Sequence, residues 1–210
     1  MDKVQRFIKN SHNLYYGEIP DQIKYIPKYV IRKYISSNPH KYFEIGFIYQ
    51  YYYENYERMH EYYNKSLDDA NTLVHLGLYY NNEMNYTKME EYYKKAVKLG
   101  NTEAMNYLGY YYCNNNNYEL MLKYYNMSIK LGDSTALLYL GYYYKYIETD
   151  YELMKKYFMQ AIALGESYAM YYLSNYYYIK QNYDLMKHYS MQSLKLGNIL
   201  AAHELVEFYR

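Results

Sequence analysis

Tryptophan is missing from these 210 residues, only three prolines occur, and there is one cysteine, Cys113. A lone thiol excludes a disulfide framework within the chain and removes the usual reason to place a small protein outside the cell. So few prolines leave long stretches free to be helical. No uninterrupted apolar run reaches the length of a membrane-spanning helix. Residues 1–10 also lack the apolar core of a secretory signal. Neither sign of charge dominates: 23 Lys+Arg stand against 22 Asp+Glu, so no global field favours nucleic acid or an anionic lipid surface. The expectation is an intracellular, cytoplasmic protein without a membrane span, with nucleic acid disfavoured as a partner.

Charge is nevertheless uneven along the chain. Residues 1–42 carry eight basic residues (Lys3, Arg6, Lys9, Lys24, Lys28, Arg32, Lys33 and Lys41) and three acidic ones, leaving residues 43–210 net acidic. Tyrosine is present in excess, 41 copies against five phenylalanines. A buried phenol still needs a partner for its hydroxyl, so a tyrosine-rich core must bring many hydroxyls to helix edges, water or backbone carbonyls. That is how a chain that is 51% hydrophobic has a mean hydropathy of −0.64.

One string recurs, seen best as Leu99-Gly100-x-x-x-Ala104-x-x-x-Leu108-Gly109-x-Tyr111-Tyr112. Its small-residue positions, Gly46, Gly77, Gly109, Gly141 and Ser174, lie 31, 32, 32 and 33 residues apart. Such a period with helical hydrophobic spacing marks stacked two-helix units. The expected fold is all-α: a right-handed α-solenoid of about five repeats with terminal capping helices.

Within a unit, Ala104, Met105, Leu108 and Tyr112 follow i, i+3 or i+4 spacing and predict the first helix. The run 114–117 is four asparagines, a residue that tolerates the left-handed conformation an interhelical turn needs. Tyr118, Met121, Tyr125 and Ser128 resume the period as the second helix, and Gly132 closes it. Pairs three apart recur in the second helices: Tyr56/Met59, Tyr86/Met89, Tyr118/Met121, Tyr151/Met154 and Tyr183/Met186. One methionine per unit at helical spacing is a flexible core filler. The first junction differs, with Asp68 where glycine is expected and a link two residues shorter, which predicts irregular packing there. Gly109 and its equivalents are expected to face the partner helix, because glycine inside a helix costs about 1 kcal/mol relative to alanine and close packing must offset it. Acidic-first pairs such as Glu90/Lys94, Glu91/Lys95, Glu119/Lys123 and Glu152/Lys156 read as a solvated outer surface.

These units resemble tetratricopeptide repeats and their Sel-like (SLR) relatives. The short turn within each unit is similar to the former, and Leu-Gly-x-x-x-Ala between units to the latter. The likeness covers about residues 43–210: five hairpins and a last single helix, Ile199–Tyr209. Methionine stands where the tetratricopeptide pattern prefers alanine early in the second helix, and the proline often found between units is absent. The resemblance implies that first helices line a concave groove holding a peptide or partner segment. The residues three before and one after each small position would then face the ligand: Phe43, Phe47, Val74, Leu78, Asn106, Tyr110, Leu138, Tyr142, Tyr171 and Asn175. Almost none is charged, so the carboxylate clamp by which some tetratricopeptide proteins grip acidic tails is lacking. The alternative is an RNA-binding helical repeat in which tyrosines stack bases. It conflicts with the acidic balance of residues 43–210, since nonspecific affinity comes mainly from neutralising phosphates.

Residues 1–42 lack the repeat and are expected to form a helical cap. Val4, Phe7 and Ile8 suggest one short helix, Gly17 to Asp21 a turn, and Ile23, Ile26, Val30, Tyr34 and Ile35 a second helix with Pro27 near its start. Asn38-Pro39 reads as N-cap and first position of the first repeat helix. At the other end His203, Glu204 and Glu207 would give the last helix a polar outer side. The six histidines form no ligand spacing, and Cys113 has no base near it in sequence. Neither catalysis nor a metal or other cofactor is expected. The reading is a protein-interaction scaffold.

Overall fold

The computed structural model describes residues 26–209. The expected helix at Val4, Phe7 and Ile8, the turn at Gly17 to Asp21 and the contribution of Ile23 lie outside the described residues, as do the side chains of His203, Glu204 and Glu207. Among the described residues there are twelve α-helices and no strand. Helix α1 (Lys28–Ser37) precedes five hairpins: α2 (Tyr42–Tyr51) with α3 (Tyr56–Tyr63), α4 (Ala70–Asn82) with α5 (Tyr86–Lys98), α6 (Thr102–Asn114) with α7 (Tyr118–Lys130), α8 (Ser134–Tyr146) with α9 (Tyr151–Ala163), and α10 (Ser167–Ile179) with α11 (Tyr183–Lys195). A single helix, α12 (Ile199–Tyr209), follows. The described helices group into two compact units, divided within α6 between residues 104 and 105.

In the first unit α1 starts directly after Pro27, whose φ of −59° suits a helix entry. Ile31 and Tyr34 are buried in one cluster with Phe43, Phe47, Ile48, Met59, Tyr63 and Leu76, so α1 covers the first hairpin. Arg32 and Lys33 remain exposed. Asn38-Pro39 does not open α2, which begins at Tyr42. Asn38 instead closes α1: its Nδ2 donates to the Tyr34 carbonyl, and its own carbonyl accepts from the Lys41 amide. With proline second, residues 38–41 make a β-turn, a local solution that competes with an N-cap. The short first junction is also built of turns, the Ser66 amide donating to Tyr63 O and the Asp69 amide to Ser66 O.

The hairpin turns share one backbone solution. Glu54, Met84, Asn116, Thr149 and Gln181 all take positive φ of 50–57°, and each directly precedes the N-cap of a second helix. The N-cap residue does two jobs. Asn117, for example, donates its amide to the Tyr112 carbonyl, ending α6, while its Oδ1 accepts from the Leu120 amide to begin α7. Between units Gly100, Gly132, Gly165 and Gly197 carry the left-handed residue, with φ of 80–86°.

Inside each hairpin the small residue of the first helix receives a ring from the second. A Cβ added at Gly46, Gly77, Gly109 or Gly141 would collide with ring carbons of Tyr63, Tyr93, Tyr125 or Phe158. This is the packing expected of these glycines. Three residues on, a tyrosine of the first helix stacks on the one just before that position of the second, which is Ser190 in the fifth hairpin: Tyr49 on Tyr62, Tyr80 on Tyr92, Tyr112 on Tyr124, Tyr144 on Tyr157 and Tyr177 on Tyr189, with centroids 5.3–5.7 Å apart. Tyrosine here supplies ring area to the edge of the core. The methionines of the second helices, Met59, Met89, Met121, Met154 and Met186, are buried core fillers. On the outer side Glu90 pairs with Lys94 and Glu91 with Lys95, whereas Glu152 takes Lys155 rather than Lys156. Lys156 lies over the Tyr157 ring instead.

Candidate functional site

The ten residues expected to line a groove divide by burial. Phe43, Phe47, Val74, Asn106 and Leu138 are buried, Leu78, Tyr142, Tyr171 and Asn175 are partly buried, and Tyr110 is exposed. The position three before the small residue therefore does not, as expected, present a surface in the first four repeats; it packs inward. Phe43 stacks on Tyr63 and lies against His75 of the next first helix. Leu138 belongs to the cluster of Met154, Phe158 and Leu173. Asn106 donates through Nδ2 to Asp133 Oδ2 at 2.5 Å, and the same carboxylate caps α8 through the Thr135 amide. Asn106 thus ties one repeat to the start of the next. Side chains on a helix lean toward its N-terminus, which carries this position into the crevice with the neighbouring helix.

The open surface of the second unit lies one helical step further round. Tyr110 is 43% exposed, Tyr146 63% and Tyr168 48%. They sit one after, five after and six before the small positions Gly109, Gly141 and Ser174. On a helix those offsets share one face, since they differ by four and seven residues. The spacing rule that finds them was available in sequence, but the choice of face within the first helix was not. Tyr142 lies on this face too, partly sunk between Phe158 and Tyr172, whose centroid is 4.4 Å from its own. One cation accompanies these rings: Lys145 Nζ stands 4.7 Å from the Tyr146 centroid and 5.6 Å from that of Tyr172.

Burial pushes the Cys113 thiol up from its ordinary value, away from the thiolate a nucleophile requires. Among the described residues no three His, Cys, Asp or Glu side chains are grouped to hold a metal. His75 is buried against Phe43, Phe47 and Tyr63 with Nδ1 3.1 Å from the Tyr51 hydroxyl, a core histidine with a partner. Tyr143 donates to Glu148 Oε1 at 2.5 Å, and its hydroxyl is held well above its ordinary pKa, first by desolvation and then by that carboxylate.

The backbone of the whole array is similar to a Sel1 repeat protein from Oxalobacter formigenes, with a TM-score of 0.67 at 17% identity over 99% of this chain and 90% of that one. The chain has the Sel1-like repeat fold. A protective antigen of uropathogenic Escherichia coli displaying an SLR fold aligns with a TM-score of 0.63 at 21% identity over 98% of this chain and 48% of the antigen. An immunity protein from Pseudomonas aeruginosa aligns with a TM-score of 0.58 at 17% identity over 93% and 83% of the two chains. No family model and no curated protein matches the sequence. In this Sel1-like repeat chain the paired helices, short internal turns and glycine-closed junctions are thus those of an α-solenoid-like fold, all-α throughout the described residues. No helix among them is long and apolar enough to cross a membrane.

Proposed function

We propose that this chain is a non-catalytic interaction scaffold whose first-helix face, the concave side implied by the repeat resemblance, holds a segment of a partner protein. The observation that carries the reading is the set of exposed tyrosines Tyr110, Tyr146 and Tyr168, which share one face of successive first helices and are accompanied by Lys145 as a cation. Tyrosine offers large, rigid contact area with a hydroxyl for a partner's backbone, and interface anchors are enriched in it. Likeness in fold to an immunity protein adds support for a protein as the partner. The raised Cys113 thiol speaks against a nucleophilic role for that cysteine. The single cysteine supports action inside the cell.

Capture of partners from the native source, followed by affinity measurement at increasing salt, tests the proposal. A protein partner held by the tyrosine stripe should lose little affinity with salt. RNA bound by base stacking would lose orders of magnitude as phosphate contacts are screened, and that outcome overturns the protein-scaffold reading.

A further inference from the structure

Lys145 is the single charged residue in α8 and α10 taken together. At its position, four beyond the small residue, the other first helices of the hairpins carry Gln50, Asn81, Cys113 and Tyr178, so the repeat packing does not call for a cation there. The side chain is half-buried, and its Nζ stands 4.7 Å from the Tyr146 centroid and 5.6 Å from that of Tyr172. Among the described residues no carboxylate forms an ion pair with it. Ring faces attract an ammonium through their quadrupole but supply no counter-charge. The positive charge is therefore oriented and left unneutralised.

Phenols gather at the same place. Tyr142 stacks on Tyr146 with centroids 6.2 Å apart and meets Tyr172 edge-on at 4.4 Å. Burial pushes the Tyr172 hydroxyl above its ordinary pKa, a hydrogen bond with Tyr142 draws it back, and Tyr171, Tyr146 and Tyr168 are near enough to add to the rise. Protonated phenols donate hydrogen bonds. An ammonium ringed by such donors, on two helices without an Asp or Glu, has the makings of an anion site. Its single positive charge matches a carboxylate. A phosphate group carries about −1.5 to −2 at neutral pH and would leave part of that charge unmatched.

We propose that Lys145, with the hydroxyls of Tyr146 and Tyr172, binds one carboxylate of the partner segment, in a stretch otherwise uncharged where it lies on α8 and α10. This names the partner's chemistry at the first-helix face and rests on the function proposed above. The probe is a pool of random nonapeptides in two forms, C-terminally amidated and with a free terminal carboxylate, selected on the full chain. Bound peptides should be enriched in Asp or Glu in the amidated pool, which assigns a side chain, or bind only as free acids, which assigns a chain end. A selected peptide, followed by fluorescence anisotropy, should bind the Lys145→Glu chain about tenfold or more weakly than the parent. Converting its carboxylate to the amide should weaken binding to the parent by a similar factor and improve binding to Lys145→Glu, a reversal that misfolding of the variant could not produce. Peptides that lose affinity in Tyr110→Ala but show no need of a carboxylate, or ignore Lys145→Glu, overturn this proposal and leave the first-helix reading standing. Peptides indifferent to both Tyr110→Ala and Lys145→Glu, or a selection that yields none, overturn both.

Discussion

The hydroxyl of Ser174 lies 2.5 Å from that of Ser190, at the place where Gly141 faces the ring of Phe158. Ser174 also donates to the Met186 carbonyl, so the fifth hairpin closes on a small polar pair where the others close on a ring. The two positions are one steric unit and their substitutions should couple. Ser190→Phe alone should destabilise by about 1–3 kcal/mol through overpacking. Adding Ser174→Gly should recover at least about 1 kcal/mol, a coupling of the size seen between touching residues. Denaturant midpoints of the two single variants and the double variant decide this, and strict additivity would refute it.

Gly109→Ala should lower stability although alanine is the better helix former by about 1 kcal/mol. The added methyl would meet Tyr125 ring carbons, and that ring is fixed in the core. A higher melting temperature for this variant would contradict the packing assigned to the notch.

Thr149 takes φ of 55° in the turn between α8 and α9. A β-branched residue is strained in that region, whereas glycine is not. Thr149→Gly should therefore stabilise, by up to about 1 kcal/mol after glycine's entropy cost, on the usual penalty for a left-handed non-glycine residue. Thermal unfolding checks the sign. Gly132→Ala should do the reverse, since at φ of 85° its methyl meets no neighbour and only the backbone objects.

Burial first, and then nearby Lys88, hold the His60 imidazole below its ordinary pKa. It packs edge-on to Tyr79 at 5.0 Å, with Tyr80 beside it. Above the unfolded value near 6.5 both states are neutral and this contribution to stability is complete. As pH falls through that value the unfolded chain takes the proton first, so stability drops until the lower folded pKa is passed. The loss of stability from pH 7.5 to 5 should be smaller in His60→Gln than in the parent chain, as urea midpoints at the two values would show. An equal loss in both would refute it.

Tyr110→Ala combined with Tyr146→Ala should weaken partner binding by about tenfold or more if these rings anchor the interface. The circular dichroism spectrum should change little, because both side chains are exposed at the surface. Changing Lys123 and Lys156, which lie on second helices over Tyr124 and Tyr157, should leave affinity nearly unaltered. Affinity that follows the lysines and ignores the tyrosines would move the binding surface to the outer side.

The repeat period, the paired helices and the closing glycines were all legible in sequence because they are local or recur. Gly132 needs only its own positive φ, and Tyr118, Met121 and Tyr125 declare a helix by spacing alone. The role of Gly109 could be argued because an interior glycine needs a reason, but that the reason was a Tyr125 ring came from two helices meeting. Asn38-Pro39 was misleading since the same residues suit both an N-cap and a turn, and only packing of α1 on the first hairpin selects the turn. The candidate site was half visible. Sequence reasoning assigned the candidate face to the first helices, while the burial of Phe43, Val74, Asn106 and Leu138 and the exposure of Tyr146 and Tyr168 depend on how closely neighbouring first helices approach. That approach is fixed by side chains about thirty residues apart, such as Tyr142 against Tyr172, so tertiary structure alone decides which ring becomes core and which becomes surface.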